Sequence, residues 1–223
     1  MSPYLGVVLA YLAGSIPAAF IAGKLTRGID LRQHGSGNLG ATNVYRVLGA
    51  KVAVIVLLFD AAKGAIPVLW FPRLLPQSDA RVASLWAIAF GIAAIIGHVR
   101  PVFLLWKGGG KGVATASGVF GALAPAAIVI TLIVWLAVLM TSGYMSLASL
   151  AGAAALPLAV AIIAGVKSPV FAVSVLVAAF VFWTHRSNIR RLRRGEEPRF
   201  GRKTPPSPQP AEHSAGAAES GAP

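Results

Sequence analysis

The 223-residue sequence contains no cysteine, which excludes a disulfide framework, a thiolate nucleophile and a cysteine metal site. Acidic side chains are scarce as well: 7 Asp and Glu stand against 20 Lys and Arg, a formal net charge of +13. Charged residues of both signs make up only 12% of the chain, while 56% is hydrophobic and the mean hydropathy is +0.72. So little charge excludes an ordinary soluble domain. What the chain has instead is apolar length. Runs at 3–23, 52–72, 82–99, 146–166 and 168–184, with a longer one at 113–141, meet the roughly 20 residues that a helix needs to cross hydrocarbon. The first run has no basic residue ahead of it, and Lys24 and Arg27 follow it, so it reads as a retained span and not as a cleavable signal peptide. Abundant Gly and Ala within the runs suit close helix packing in lipid.

The basic excess is uneven. Residues 24–51 hold five basic side chains against Asp30, residues 100–111 hold three and no acid, and residues 186–203 hold eight against Glu196 and Glu197. The connection at 73–81 has only Arg73, Arg81 and Asp79, and that at 166–168 only Lys167. The positive-inside rule makes the first three segments cytoplasmic, and puts the N-terminus outside and the C-terminus inside. A chain cytoplasmic at 111 and again at 186 crosses an even number of times between them. The runs 146–166 and 168–184 supply two crossings, so 113–141 must return to its own side, broken near Gly118, Gly121 and Pro125. The expected fold is an all-α integral membrane protein with seven membrane helical segments, two of them short. The membrane unit covers residues 1–203. Residues 204–223, rich in Pro, Ala and Ser without apolar periodicity, are expected to be a disordered cytoplasmic tail.

Three polar inserts interrupt the apolar chain: "HGSGNLGATNVYRVLG" at 34–49, "WKGGGKGVAT" at 106–115 and "HRSNIRRLRRGEEPRF" at 185–200. Gly35, Gly37 and Gly40 make a formal GxGxxG, but a membrane span precedes it where a dinucleotide site needs a strand. Gly110-Lys111 lacks both the upstream glycine and the following Ser or Thr of a phosphate-binding P-loop. The physics of those motifs still applies, because glycines let backbone N–H groups converge on an anion and a following helix N-terminus adds partial positive charge. Lys107 and Lys111 flank three glycines just ahead of an apolar run. A plain flexible turn would leave those lysines unexplained. Arg46 falls on a short helix stopped by Gly49, with an interfacial arginine facing lipid headgroups as the alternative. Ser36 and Asn38 either bind or close turns. His185, Asn188 and Arg191, spaced i, i+3 and i+6, share a helix face. Asp60 and Lys63, at i and i+3 inside a span, form an expected ion pair.

The three inserts, read with "GHVRPVFLL" before the second, resemble the signature segments of the bacterial acyl-phosphate-dependent glycerol-3-phosphate acyltransferases. The resemblance covers most of residues 3–200. It implies transfer of a fatty acyl group from acyl phosphate to the 1-hydroxyl of sn-glycerol 3-phosphate, giving lysophosphatidic acid and phosphate, with no cofactor and no metal. It implies a multi-pass protein of the bacterial cell (inner) membrane with a cytoplasmic active site, whose partners are its two substrates and the lipid bilayer, with no nucleic acid. By position, the family's phosphate-contacting residues fall on Ser36 and Arg46, and its glycine-loop residues on Gly109, Gly110 and Lys111. Its third-segment residues fall on His185, Asn188 and Glu197. The resemblance thus implies Ser36, Lys111, His185 and Asn188 as catalytic, with Arg46, Gly109, Gly110 and Glu197 joining them in substrate binding. His98 and the pair Thr42-Asn43 also match. The His-x4-Asp dyad of another acyltransferase class is absent, since positions 39, 103, 190 and 218 hold Leu, Phe, Arg and Ala. An acyl phosphate is already activated, so direct transfer without an acyl-enzyme is expected. His185 could act as a general base or donate to a phosphate oxygen. A transporter for a phosphorylated metabolite is the alternative, because broken helices meeting an anion also serve transport.

Overall fold

The computed structural model describes residues 1–76 and 79–201. Among the described residues every regular element is helical: α1 Pro3–Ser15, α2 Ala18–Arg27, α3 Ala41–Leu48, α4 Ala50–Trp70, α5 Ala80–Val99, α6 Val113–Leu123, α7 Pro125–Ser142, α8 Met145–Ala164, α9 Pro169–Thr184 and α10 Arg186–Arg194. Five stretches are long and apolar enough to cross a membrane, with α1 and α2 counted together over Pro3–Arg27; α9 with α10, bent by 57°, makes a sixth. The expected tail at 204–223 lies outside the described residues.

Two sequence expectations change. The first run is not one helix, because Pro17 lacks an amide hydrogen and divides α1 from α2. The run at 113–141 does break at Ala124–Pro125, but into 11 and 18 residues, so only α6 is short. Gly118 and Gly121 lie within α6, where Gly118 has a different task. A Cβ built on it would fall 1.9 Å from the Ala61 carbonyl oxygen, and one on Gly64 would fall 2.3 Å from that of Thr115. Glycine at both positions lets α4 and α6 touch backbone to backbone. Gly14 and Gly97 do the same between α1 and α5.

Hydrogen bonds fix which helix ends lie together. The Leu39 amide donates to Gly109, the Thr184 hydroxyl to Lys111 and the Phe200 amide to Gly143. Residues 28–49, 100–112, 143–144 and 185–200 thus share one end. At the other end, the N-terminal ammonium donates to the Leu74 carbonyl at 2.7 Å. α6 leaves the polar end at Gly112 and α7 returns to it at Gly143, as the parity of crossings requires. Outward residues such as Ile133, Met140, Leu158 and Ile162 are exposed and apolar, a surface matched to lipid.

Candidate active site

The first polar insert is wrapped around one buried amide. Asn43, in the first turn of α3, accepts the Ser36 N–H through Oδ1 at 2.8 Å and donates through Nδ2 to the His34 and Leu31 carbonyls at 3.0 and 3.3 Å. Gly35 has φ +62°, and a Cβ there would stand 2.3 Å from Asn43 Oδ1, so only glycine lets the loop close on the amide. The folded loop then docks on the second insert. Asn38 Nδ2 donates to Gly109 O at 3.0 Å, and Arg32 Nη1 to Lys107 O at 3.1 Å while the same guanidinium pairs with Asp30. On the far flank, Thr184 Oγ1 donates to Lys111 O at 3.1 Å and binds the second insert to the end of α9.

The three inserts enclose a cavity of about 400 Å³. Its mouth is polar, with Ser36, Arg46, Lys111, His185, Asn188 and Glu197 on the wall. Deeper, the lining turns apolar, with Leu57 of α4, Leu132 and Trp135 of α7, Leu156 of α8 and Val177 of α9. Across the mouth runs one chain of hydrogen bonds. Arg191 Nε donates to Glu197 Oε2 at 2.7 Å, Asn188 Nδ2 donates to Glu197 Oε1 at 2.7 Å, and Lys111 Nζ donates to Asn188 Oδ1. A carboxylate only accepts, so Glu197 dictates which way the Asn188 amide faces and turns its oxygen toward Lys111. Arg46 has no carboxylate within ion-pair distance among the described residues, although it lines the same cavity.

A second body of observations bears on identity. The pattern of the glycerol-3-phosphate acyltransferase family matches residues 4–195. The chain belongs to that family. It is similar to the glycerol-3-phosphate acyltransferases of Geotalea daltonii, 46% identical over 88% of this chain and 96% of that protein, and of Geobacter metallireducens, 50% identical over 86% and 94%. It also resembles the crystal structure of PlsY (YgiH), described as an integral membrane glycerol 3-phosphate acyltransferase, in its glycerol 3-phosphate form. That likeness has a TM-score of 0.81 and 40% identity, over 90% of this chain and 96% of that one. The lysophosphatidic acid form gives 0.79 and 39%. Family membership makes the chain a membrane acyltransferase and decides against the transporter alternative.

Of the residues the resemblance implies for catalysis and binding, Ser36, Arg46, Lys111, His185, Asn188 and Glu197 all line the cavity of this acyltransferase, as do Asn38, Thr42, Asn43, Asp60, His98 and Arg191. Gly109 and Gly110 do not. The Gly110 N–H is occupied by the His98 carbonyl at 3.2 Å, and a Cβ on Gly110 would lie 1.8 Å from His98 Nε2. A Cβ on Gly109 would lie 2.3 Å from the Val99 carbonyl oxygen. Both glycines permit close packing under the loop, and the Gly110 N–H is taken up by that packing. Further N–H groups without an intrahelical partner lie at the start of α6, where Gly112, Val113 and Ala114 line the cavity. Lys107 is exposed and absent from the cavity wall. The organising role of Asn43 escapes the sequence reading, as does the apolar half of the lining, which comes from one face each of four otherwise uniformly apolar helices.

Electrostatics separate the roles at the mouth. Burial pushes the Lys111 ammonium down to about 8; Glu197 opposes the shift, and Arg191 and Arg46 add to it. Burial also drives the Arg46 guanidinium down from its usual value, against the pull of Glu197. Burial alone would raise the Glu197 carboxyl, but hydrogen bonds from Asn188 and Arg191 hold it below the usual carboxylate range. His185 is pushed down to about 4 by burial and then by the Lys111 charge. Its Nδ1 lies 2.8 Å from the Val181 carbonyl, which can only accept, so Nδ1 carries the proton. Nε2 of the neutral ring is therefore an acceptor, which rules out donation to a phosphate oxygen in that state.

One pH dependence follows. If Lys111 binds the anion through its ammonium, as proposed below, kcat/KM is expected to fall about tenfold per unit as pH rises beyond about 8. Bound anion favours the charged ammonium, so the matching limb in kcat lies at higher pH. Lys111→Arg removes the limb from the accessible range. Initial rates across neutral and alkaline pH check this, and an unchanged alkaline limb in Lys111→Arg contradicts it.

Proposed function

We propose that this acyltransferase moves a fatty acyl group from acyl phosphate to the 1-hydroxyl of sn-glycerol 3-phosphate, releasing lysophosphatidic acid and inorganic phosphate, the first acylation of phospholipid synthesis. The observation that carries this reading is the two-part cavity, whose cationic mouth is continuous with an apolar slot among α4, α7, α8 and α9. One substrate is a small polyanion and the other an anion with an acyl tail, and such a cavity suits both.

In this reading Ser36, Arg46 and Lys111 hold the two phosphates, assisted by the free N–H groups at the start of α6. Asn188 and Glu197 fix the Lys111 ammonium. His185 Nε2 accepts the glycerol hydroxyl and aims its oxygen at the acyl carbonyl carbon. The new C–O ester bond forms as the C–O bond to phosphate breaks, and the departing phosphate takes the electron pair. The hydroxyl proton ends on that phosphate, because the oxygen that leaves with the electron pair is far more basic than an imidazole held near 4. The activated donor supplies the driving force, and no acyl-enzyme forms.

Purified protein is expected to release phosphate and form lysophosphatidic acid from acyl phosphate and glycerol 3-phosphate, and to give no product with acyl-CoA or acyl carrier protein as donor. With labelled acyl phosphate alone, no denaturation-stable acyl label should remain on the protein. Product from acyl-CoA would overturn the donor, and a labelled protein that passes its acyl group to added glycerol 3-phosphate would overturn direct transfer.

The site faces the cytoplasm of a bacterial inner membrane in this reading, with seven membrane helical segments of which α6 is the short one, the N-terminus outside and the C-terminus inside. The charge distribution supports it, since the site end carries most of the Lys and Arg. Residues 1–203 form the catalytic unit. The absence of native cysteine allows a direct check. Single cysteines at Ser36 and Ser187 should resist an impermeant maleimide applied to intact cells, whereas Asp79→Cys should react; external labelling at Ser36 or Ser187 reverses the orientation.

A further inference from the structure

Three ionisable side chains beneath the second insert have no role in the chemistry above, although two of them, Asp60 and His98, reach the cavity wall. Asp60 and Lys63 sit on adjacent turns of α4, with Lys63 Nζ 2.7 Å from Asp60 Oδ1. His98, at the end of α5, places Nδ1 3.5 Å from the same carboxylate oxygen. All three are nearly sealed from solvent, at 1%, 5% and 6% exposure. Charged groups this deep in a membrane bundle are costly to bury, and pairing alone leaves their location unexplained.

Their outward contacts give the location a purpose. Lys63 Nζ also donates to the Ile16 carbonyl at 2.8 Å, at the break that Pro17 makes between α1 and α2. On the other side, the His98 imidazole presses its Nε2 edge on Gly110, so closely that no side chain fits there, and the His98 carbonyl takes the Gly110 N–H at 3.2 Å. Gly110 is followed directly by Lys111. The connection from the broken first span to Lys111 is thus continuous: Ile16 carbonyl, Lys63, Asp60, His98 ring, Gly110. Helix α4 contributes two of its members, and by its Gly64 and Gly118 contacts it also holds α6, whose first residue stands two positions after Lys111.

We propose that Asp60, Lys63 and His98 are positioning residues that lock the 107–111 loop from below, so that the Lys111 ammonium meets Asn188 without searching for it. The inference rests on the reading of Lys111 as a phosphate-binding group. Asp60 turns the His98 ring, the ring sets the height of Gly110, and the loop height fixes where Lys111 leaves the backbone. Lys63 lies off the cavity wall, and although Asp60 and His98 reach it, the positioning role requires no contact with substrate.

A double-mutant cycle separates this role from general support of the bundle. His98→Phe keeps a ring over Gly110 but cannot engage Asp60; Asp60→Asn preserves volume and removes the carboxylate. Each is made alone and in Lys111→Ala, with kcat/KM read from labelled product and the melting temperature in detergent read alongside. In otherwise native protein, each is expected to lower kcat/KM by about tenfold, mainly through a higher KM for glycerol 3-phosphate. In Lys111→Ala, the same substitutions should change kcat/KM by less than about twofold, because the group they position is gone. A full tenfold loss in both backgrounds overturns the proposal, as does unaltered kcat/KM in native protein. If His98→Phe fails to insert, Asp60→Asn carries the cycle alone. Near-normal activity of Lys111→Ala by itself would instead remove the reading of Lys111, an outcome distinct from additivity.

Discussion

Lys111→Ala and Arg46→Ala are each expected to cut turnover by about 10²- to 10³-fold in protein that still inserts and keeps its melting temperature, the range seen when a preorganised donor to developing anionic charge is deleted. The magnitude follows from where the two cations sit. Both are half-buried in the cavity wall, so in the proposed function their bonds to phosphate are charge-assisted and poorly replaced by solvent. The two losses should differ in kind. Lys111 is held by Asn188, and its removal leaves the Asn188–Glu197–Arg191 chain standing. Arg46 has no carboxylate within ion-pair distance among the described residues, so its removal breaks no ion pair, and in the proposed function its main effect is on substrate contact. Initial rates with both substrates varied, on protein whose folding is checked by thermal melting, measure the effect. Turnover within threefold of native in both variants would sink the anion site.

A second large effect is expected far from any charge. Gly118→Val should lower the melting temperature in detergent and reduce turnover at least about tenfold, because overpacking a close-fitted contact costs roughly 1–3 kcal/mol and displaces what it touches. The new side chain would meet the Ala61 backbone, with the carbonyl oxygen 1.9 Å from Cβ and the carbonyl carbon 2.7 Å, and backbone cannot swing aside as a side-chain tip can. α6 must move off α4, and its first turn, which lines the mouth, moves with it. Gly121→Ala is the paired control. No atom lies within 4 Å of its Cβ position, so it should fold and turn over normally. Equal behaviour of the two variants would show that α4 and α6 do not need their close approach.

The contrast between these glycines shows what a sequence makes legible here. The all-helical membrane character, the break at Pro125 and the three inserts are visible because each depends on a local property: apolar length, a missing amide hydrogen, or a run of polar side chains. The convergence of Ser36, Arg46, Lys111, His185, Asn188 and Glu197 was legible through the resemblance and the shared end of the spans. The close packing at Gly109, Gly110 and Gly118 was not. A glycine that receives an anion and a glycine that receives a neighbouring backbone look alike until the neighbour is known, and here the neighbours are His98, Val99 and Ala61, brought in by packing. The His185 tautomer was equally hidden, since it depends on the Val181 carbonyl at 2.8 Å. Pro17 was readable and carries a break that apolar length alone conceals.

The cavity wall is divided between two kinds of chain. Nearly every side chain at its mouth is borne by connections or by the short helices α3 and α10, whereas the slot is faced by the long helices α4, α7, α8 and α9. Mutation can therefore reach the two halves independently. In the proposed function, a change at Leu132, Trp135 or Leu156 resizes the slot and leaves the phosphate-facing groups where they are, so the preferred acyl chain can change while recognition of the glycerol phosphate stays fixed. Which fatty acid is attached and what it is attached to are then separately heritable properties of one small protein.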